Sequence, residues 1–307
     1  GQQLYRIIPR TIMAILLGKR LQLHGGGHSV LSFIHIDDVG SCQAANAAYT
    51  DLFNFGLISS AAIMVPCPWF PQAAAFCRAQ PEVDMGVHLT LTSEWNEYRW
   101  GPISTRDTTT GLLDEEGYFY RRQAPVHERA DAEAVYCELK TQIERALAAG
   151  VDATHIDSHM GTLAHPKFIP IYMRLALEFR LPPSILIRGS AESYRGAGIE
   201  ATLAAQMVEE LEGQGVPLLD NVAGMPLEKP ENRLETARQL FAGLPVGITH
   251  LFLHPCHDTP ELRATMPDWR DRVGDYEVFQ DEKLGQFIHD QGIHIIGNRV
   301  LRDLMRA

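Results

Sequence analysis

Leu31-Ser32-Phe33-Ile34-His35-Ile36, followed at once by Asp37-Asp38-Val39-Gly40, decides how this chain of 307 residues is read. The first six residues form an apolar, β-rich run whose length suits a buried strand. Two neighbouring carboxylates at the mouth of such a strand cost desolvation energy and repel each other, so a fold that keeps them there has use for a cation. A metal site is expected where this strand ends.

Working outward, short β-rich runs alternate with longer stretches of helical period, the pattern of βα units around a parallel sheet. Strands are expected at Leu31 to Ile36, Ser60 to Val65, Asp84 to Leu91, Thr154 to Asp157, Ile185 to Ile187, Pro217 to Leu219, Ile248 to Leu253 and His294 to Ile296. These suit a (β/α)8-like barrel. Helices are clearest over Ala130 to Ala149, where Val135, Leu139, Ile143 and Leu147 recur at every fourth position, and over Asp275 to Gln291. Asn298 is placed to cap a last helix. Residues 28–307 are read as one barrel domain. The stretch from Trp95 to Arg129 is too long for a tight connection and is expected to be an insertion at the barrel mouth, a lid or substrate wall. Residues 1–27, ending in Gly25-Gly26-Gly27, read as an appended arm.

Three segments share one grammar, an apolar strand closed by His or Asp and then a turn: Ile34 to Asp38, Met85 to Thr90, and Thr154 to His159. In a parallel barrel all strand C-termini lie on one face, so Asp38, His88 and His159 would converge into a metal site of two histidines and one carboxylate. Such a set leaves positions open for water and substrate, and by ligand type Zn, Fe, Co, Ni or Mn would fit. Asp37, beside the ligand but free of it, is placed to accept a proton from water. His254, at the end of Leu251 to Leu253, could protonate a leaving amine from the opposite side. Cys256 and His257 are a competing metal pair on that same loop. Each motif taken alone has an ordinary structural reading, a turn, a cap or a hydrogen-bonded core histidine. Their shared position at strand ends carries the argument. Trp95, Trp100, Tyr118, Phe119 and Tyr120 within the insertion suit either a satellite core or planes that stack on sugar rings.

With 27 Lys and Arg against 38 Asp and Glu, the net charge is −11, and no basic cluster tracks a phosphate backbone, so nucleic acid is not expected as a partner. Five scattered cysteines without C-x-x-C fit reduced thiols and a cytoplasmic protein. Thr11 to Leu17 is apolar but too short for a membrane span.

The ordered set Asp37-Asp38, Gly86-Val87-His88-Leu89, Asp157-Ser158-His159 and His254-Pro255 resembles the YdjC-like carbohydrate deacetylase family over roughly Ser32 to Arg302. The resemblance implies a deformed β/α barrel that removes acetyl groups from N-acetylated amino sugars with one divalent cation, magnesium as well as zinc. It implies Asp37 as general base, Asp38, His88 and His159 as metal ligands, His254 as acid, and a homodimer as the assembly to look for. This chain departs from the family's pattern in two places. Before the aspartate pair the family commonly has Asn then Ala, and here His35 and Ile36 stand there. After Asp-Ser-His it often continues with Gln-His, whereas Met160-Gly161-Thr162-Leu163 follows here, and His165 is the available substitute for the missing histidine. Arg272 and Glu277 fall where the family has a charged pair near its site.

Two other functions compete. A metal-dependent phosphoesterase would use the same ligands but is expected to add Arg, Lys or a Gly-rich helix start near them, which the motifs lack. A catalytically silent sugar-binding protein of the same fold would be free to lose one of the five site residues, and all five are present.

Overall fold

The computed structural model describes residues 30–188, 201–229 and 231–307, so the arm expected over residues 1–27 lies outside the described residues. The opening stretch becomes β1 (Val30–Val39), the axis of an all-parallel sheet. The other strands are β2 (Ser60–Ile63), β3 (Met85–Leu89), β4 (Ala153–Ser158), β5 (Asn221–Gly224), β6 (Gly247–Leu253) and β7 (Ile293–Ile295). Their order is β4-β3-β2-β1-β6-β5. Along one edge β1 pairs with β6 from Val30 to Ile36; along the other it meets β7 at Val30 to Ser32 and β2 from His35 onward. Two of the eight expected strands, at 185–187 and 217–219, survive only as a single parallel bridge between Ile187 and Leu219. That bridge and another between Ile156 and Pro183 cross the gap from β4 toward β5. The architecture is a half-barrel of parallel strands with helices outside, more deformed than a regular eightfold barrel.

The pleat sorts the residues of β1. Ile34 and Ile36 join the large core against the helices, whereas Leu31 and Phe33 pack with Leu219, Ile248, Ile296 and Leu301 in a separate small cluster. Burying a side chain such as Phe33 contributes about 1.5–3 kcal/mol. His35 and Asp37 continue the Leu31 and Phe33 row, so this face passes from apolar to polar toward the strand end. Gly86 belongs to the same pattern: a Cβ there would lie 2.4 Å from His155 Nε2, so only glycine lets that ring lie against β3.

Several expectations need correction. The helix over Ala132–Ala148 buries Val135, Leu139 and Ile143 but exposes Leu147, because steps of four outrun the 3.6-residue turn and carry the stripe off the buried face. The span expected as one helix over 275–291 is two helices, Trp269–Phe279 and Glu282–Asp290, since the Asp281 carboxylate caps the second by accepting from Lys283 N. Gly297, not Asn298, occupies the last helix's cap position; Asn298 is buried and its Nδ2 donates to Ser60 Oγ at 2.9 Å. In the segment from Trp95 to Arg129, Trp95, Trp100 and Phe119 are buried as part of the large core and not as a satellite of their own, whereas Tyr118 is exposed. The buried Glu138 carboxylate ties this segment down by accepting from Ile103 N and, at 2.8 Å, from Ser104 N. No helix among the described residues is long and apolar enough to cross a membrane.

Candidate active site

Neighbouring residues of a regular strand face opposite sides, so Asp37 and Asp38 would point apart unless the strand breaks. It does: the pairing of β1 with β2 shifts register between Ile36 and Val39, and Asp38 adopts a left-handed backbone with φ of 63°. Aspartate tolerates that conformation better than most residues, and the irregularity re-aims its side chain. Gly40, with φ of 90°, completes the turn, and its N–H donates to Asn46 Oδ1 at 2.7 Å.

Asp38, His88 and His159, from the ends of β1, β3 and β4, bring donor atoms within 4.8 Å of one another, and all three are buried. Asp38 Oδ1 lies 3.1 Å from His159 Nδ1 and 3.5 Å from His88 Nε2, yet makes no hydrogen bond. The far nitrogens of both rings are already engaged. Asp157 Oδ1 is 2.7 Å from His88 Nδ1, and the Glu94 carboxylate is 3.0 Å from His159 Nε2. Each ring therefore turns its remaining nitrogen toward Asp38, the outer-shell pattern that fixes the tautomer of ligating histidines. These three residues fit a divalent cation, and the buried, unbonded Asp38 oxygen is what such an ion would satisfy. The structure carries no ion.

The other oxygen of Asp38 is 2.8 Å from Arg272 Nη1. Burial alone would raise the Asp38 carboxyl, but His159, His88 and Arg272 hold it well below the usual carboxylate range. Arg272 Nε also meets Asp268 at 3.0 Å. Glu277, its expected companion near the site, is exposed on the same helix; Asp275 faces the site instead and accepts from His254 N at 3.0 Å.

Asp37 stands beside this cluster, its Oδ2 3.6 Å from His254 Nε2 and its Oδ1 3.1 Å from His35 Nε2. Burial lowers the pKa of His254, leaving a neutral imidazole near pH 7. Cys256 and His257 take other partners. Cys256 is buried beside Cys42, and His257 Nε2 meets Asp51 at 2.9 Å; neither belongs to a metal-sized group among the described residues. His165 stacks on His127 with ring centres 4.1 Å apart.

Glu94 and His250 escape a reading of strand ends. Glu94 lies in coil just past β3, where no periodicity marks it. His250 alternates with Phe252 and His254 on β6, so the strand's period of two is the signal that could have found it.

A family model described as YdjC-like protein matches residues 33–290. The chain belongs to that family. A Thermus thermophilus relative named carbohydrate deacetylase is 37% identical over 254 residues, covering 82% of this chain and 86% of its own. One from Thermoanaerobacter pseudethanolicus, with the same name, is 25% identical and covers 88% of this chain and 98% of its own. A crystal structure from Enterococcus faecalis superposes with a TM-score of 0.73 at 24% identity, over 89% of this chain and 99% of that one, and so shares the fold. In this YdjC-like protein the matched span holds Asp37, Asp38, His88, His159, His254 and Arg272.

Proposed function

We propose that this protein is a metal-dependent carbohydrate deacetylase that hydrolyses the acetamide of N-acetylated amino sugars or related glycans. The convergence of Asp38, His88 and His159 within 4.8 Å, with Asp37 alongside, is the observation that carries the reading. Relatives named carbohydrate deacetylase support the substrate class. Asp38, His88 and His159 would hold one divalent cation, zinc or magnesium first, with Mn, Co, Ni or Fe also compatible.

When bound, the cation supplies acidity to water and polarises the acetyl carbonyl. Asp37 takes the proton from the attacking water and holds it at a carboxylate oxygen. His254, whose Nε2 is 3.6 Å from Asp37 Oδ2, receives that proton from Asp37 and delivers it to the amine nitrogen as the C–N bond breaks and acetate leaves. Arg272 keeps Asp38 ionised, and Asp157 and Glu94 keep the two histidines turned inward. A phosphoesterase is the weaker reading: among the described residues the arginine that contacts the ligand set, Arg272, is committed to Asp38 and Asp268 and so is poorly placed to clamp phosphate. Free cysteines agree with a cytoplasmic location.

The test is metal analysis of purified protein, then acetate and phosphate release from a panel of N-acetylated and phosphorylated sugars with each metal restored. Metal-dependent acetate release supports the reading. Phosphate release alone, or sugar binding without turnover under every metal, overturns it.

A further inference from the structure

We infer that His35 is a positioning residue that holds the carboxylates of Asp37 and Asp157 together and so sets where the Asp37 oxygens point. This rests on Asp37 being the base. His35 is fully buried. Its Nε2–H donates to Asp157 Oδ2 at 3.0 Å and also lies 3.1 Å from Asp37 Oδ1, an oxygen that makes no hydrogen bond of its own. Nδ1 is 3.0 Å from Ser60 Oγ, which accepts from Asn298, so the ring is tethered at both nitrogens. His155 and His250 flank it with ring centres 5.0 and 4.4 Å away.

Two buried carboxylates beside one nitrogen need a positive charge between them. Burial alone would lower the His35 pKa, yet Asp157 and Asp37 hold it up at about 9. The other oxygen of Asp157 holds His88 Nδ1 at 2.7 Å. One imidazole thus ties the base to the carboxylate that orients a metal-ligating histidine, and both are positioned by the same bond network. The donors of His35, Asp37, Asp157 and His250 also lie within 4.8 Å of one another, a spacing a second ion could fill. Such an ion would need the Nε2 lone pair, which the proton donated to Asp157 occupies.

The test compares wild type, His35→Leu and His35→Gln as full chains with zinc restored, using acetate release from an N-acetylglucosamine oligosaccharide. Glutamine places a neutral donor near the site of Nε2. His35→Leu is expected to lower kcat about 10- to 100-fold with KM and zinc content unchanged, and His35→Gln to restore most of it. Unchanged kcat in His35→Leu, or equal loss in both variants, overturns the inference. Nitrogen-15 histidine NMR supplies a readout independent of activity. A downfield N–H resonance, absent in His35→Gln, is expected to move in Asp37→Asn; if it does not move, the inference fails whatever the kinetics. If it moves while wild type releases no acetate, the positioning stands and the deacetylase reading falls. A second zinc equivalent that is lost in His35→Gln also overturns the inference, in favour of a second ion.

Discussion

Asp157 Oδ1 lies 2.7 Å from His88 Nδ1, and that bond decides which nitrogen of His88 turns toward Asp38. Asparagine at 157 could present its amide to the same nitrogen and favour the wrong tautomer. Asp157→Asn should weaken zinc binding about 10- to 100-fold, read by competition with a chelating dye. Glu94 stands in the same relation to His159, so Glu94→Gln should weaken binding in the same direction. Unchanged zinc affinity in both variants would remove the outer-shell argument.

Arg272 is the cation that the metal-free protein offers to buried Asp38. Arg272→Met leaves that carboxylate unpaired, and the metal-free protein should lose about 3 kcal/mol of stability in urea unfolding. Saturating zinc should recover part of the loss, because the ion replaces the missing charge. A loss that zinc leaves untouched would mean that Arg272 supports packing alone.

Gly86→Ala places a methyl where His155 Nε2 sits 2.4 Å away. The ring must shift inside a packed half-barrel, at a cost of about 1–3 kcal/mol. Thermal unfolding checks this, and a neutral result would show that His155 has room to move.

Asp114 anchors the aromatic segment through Arg99, at 2.7 Å, and accepts from the N–H groups of Glu116 and Tyr118. Burial would raise its carboxyl, but Arg99 and those N–H groups hold it below the usual value. A depressed carboxyl contributes stability above its unfolded pKa of about 3.9 and loses it as pH falls through the folded value. Asp114→Asn should therefore lower the melting temperature at pH 7, with the gap closing toward pH 3. A gap that stays constant across that range would contradict the assignment.

Asp38, His88 and His159 are legible in sequence because each follows a short apolar run, and parallel strands bring such ends to one face. The strand irregularity that re-aims Asp38 is not legible, since it depends on a left-handed residue that no glycine announces. Residues 185–187 and 217–219 are apolar enough for strands, but tertiary context leaves them one bridge. Arg272 is placed near the site only by the family resemblance, which sets Glu277 beside it; the fold instead pairs Arg272 with Asp38 and, one helical turn earlier, Asp268.

One ion is expected among three side chains drawn from the ends of separate strands. Anomalous diffraction from crystals of the zinc-restored protein tests it most directly. A single strong peak about 2.0–2.2 Å from Asp38 Oδ1, His88 Nε2 and His159 Nδ1 is the predicted result. A zinc peak elsewhere, with no density among these three atoms, would mean that these residues do not form the metal site.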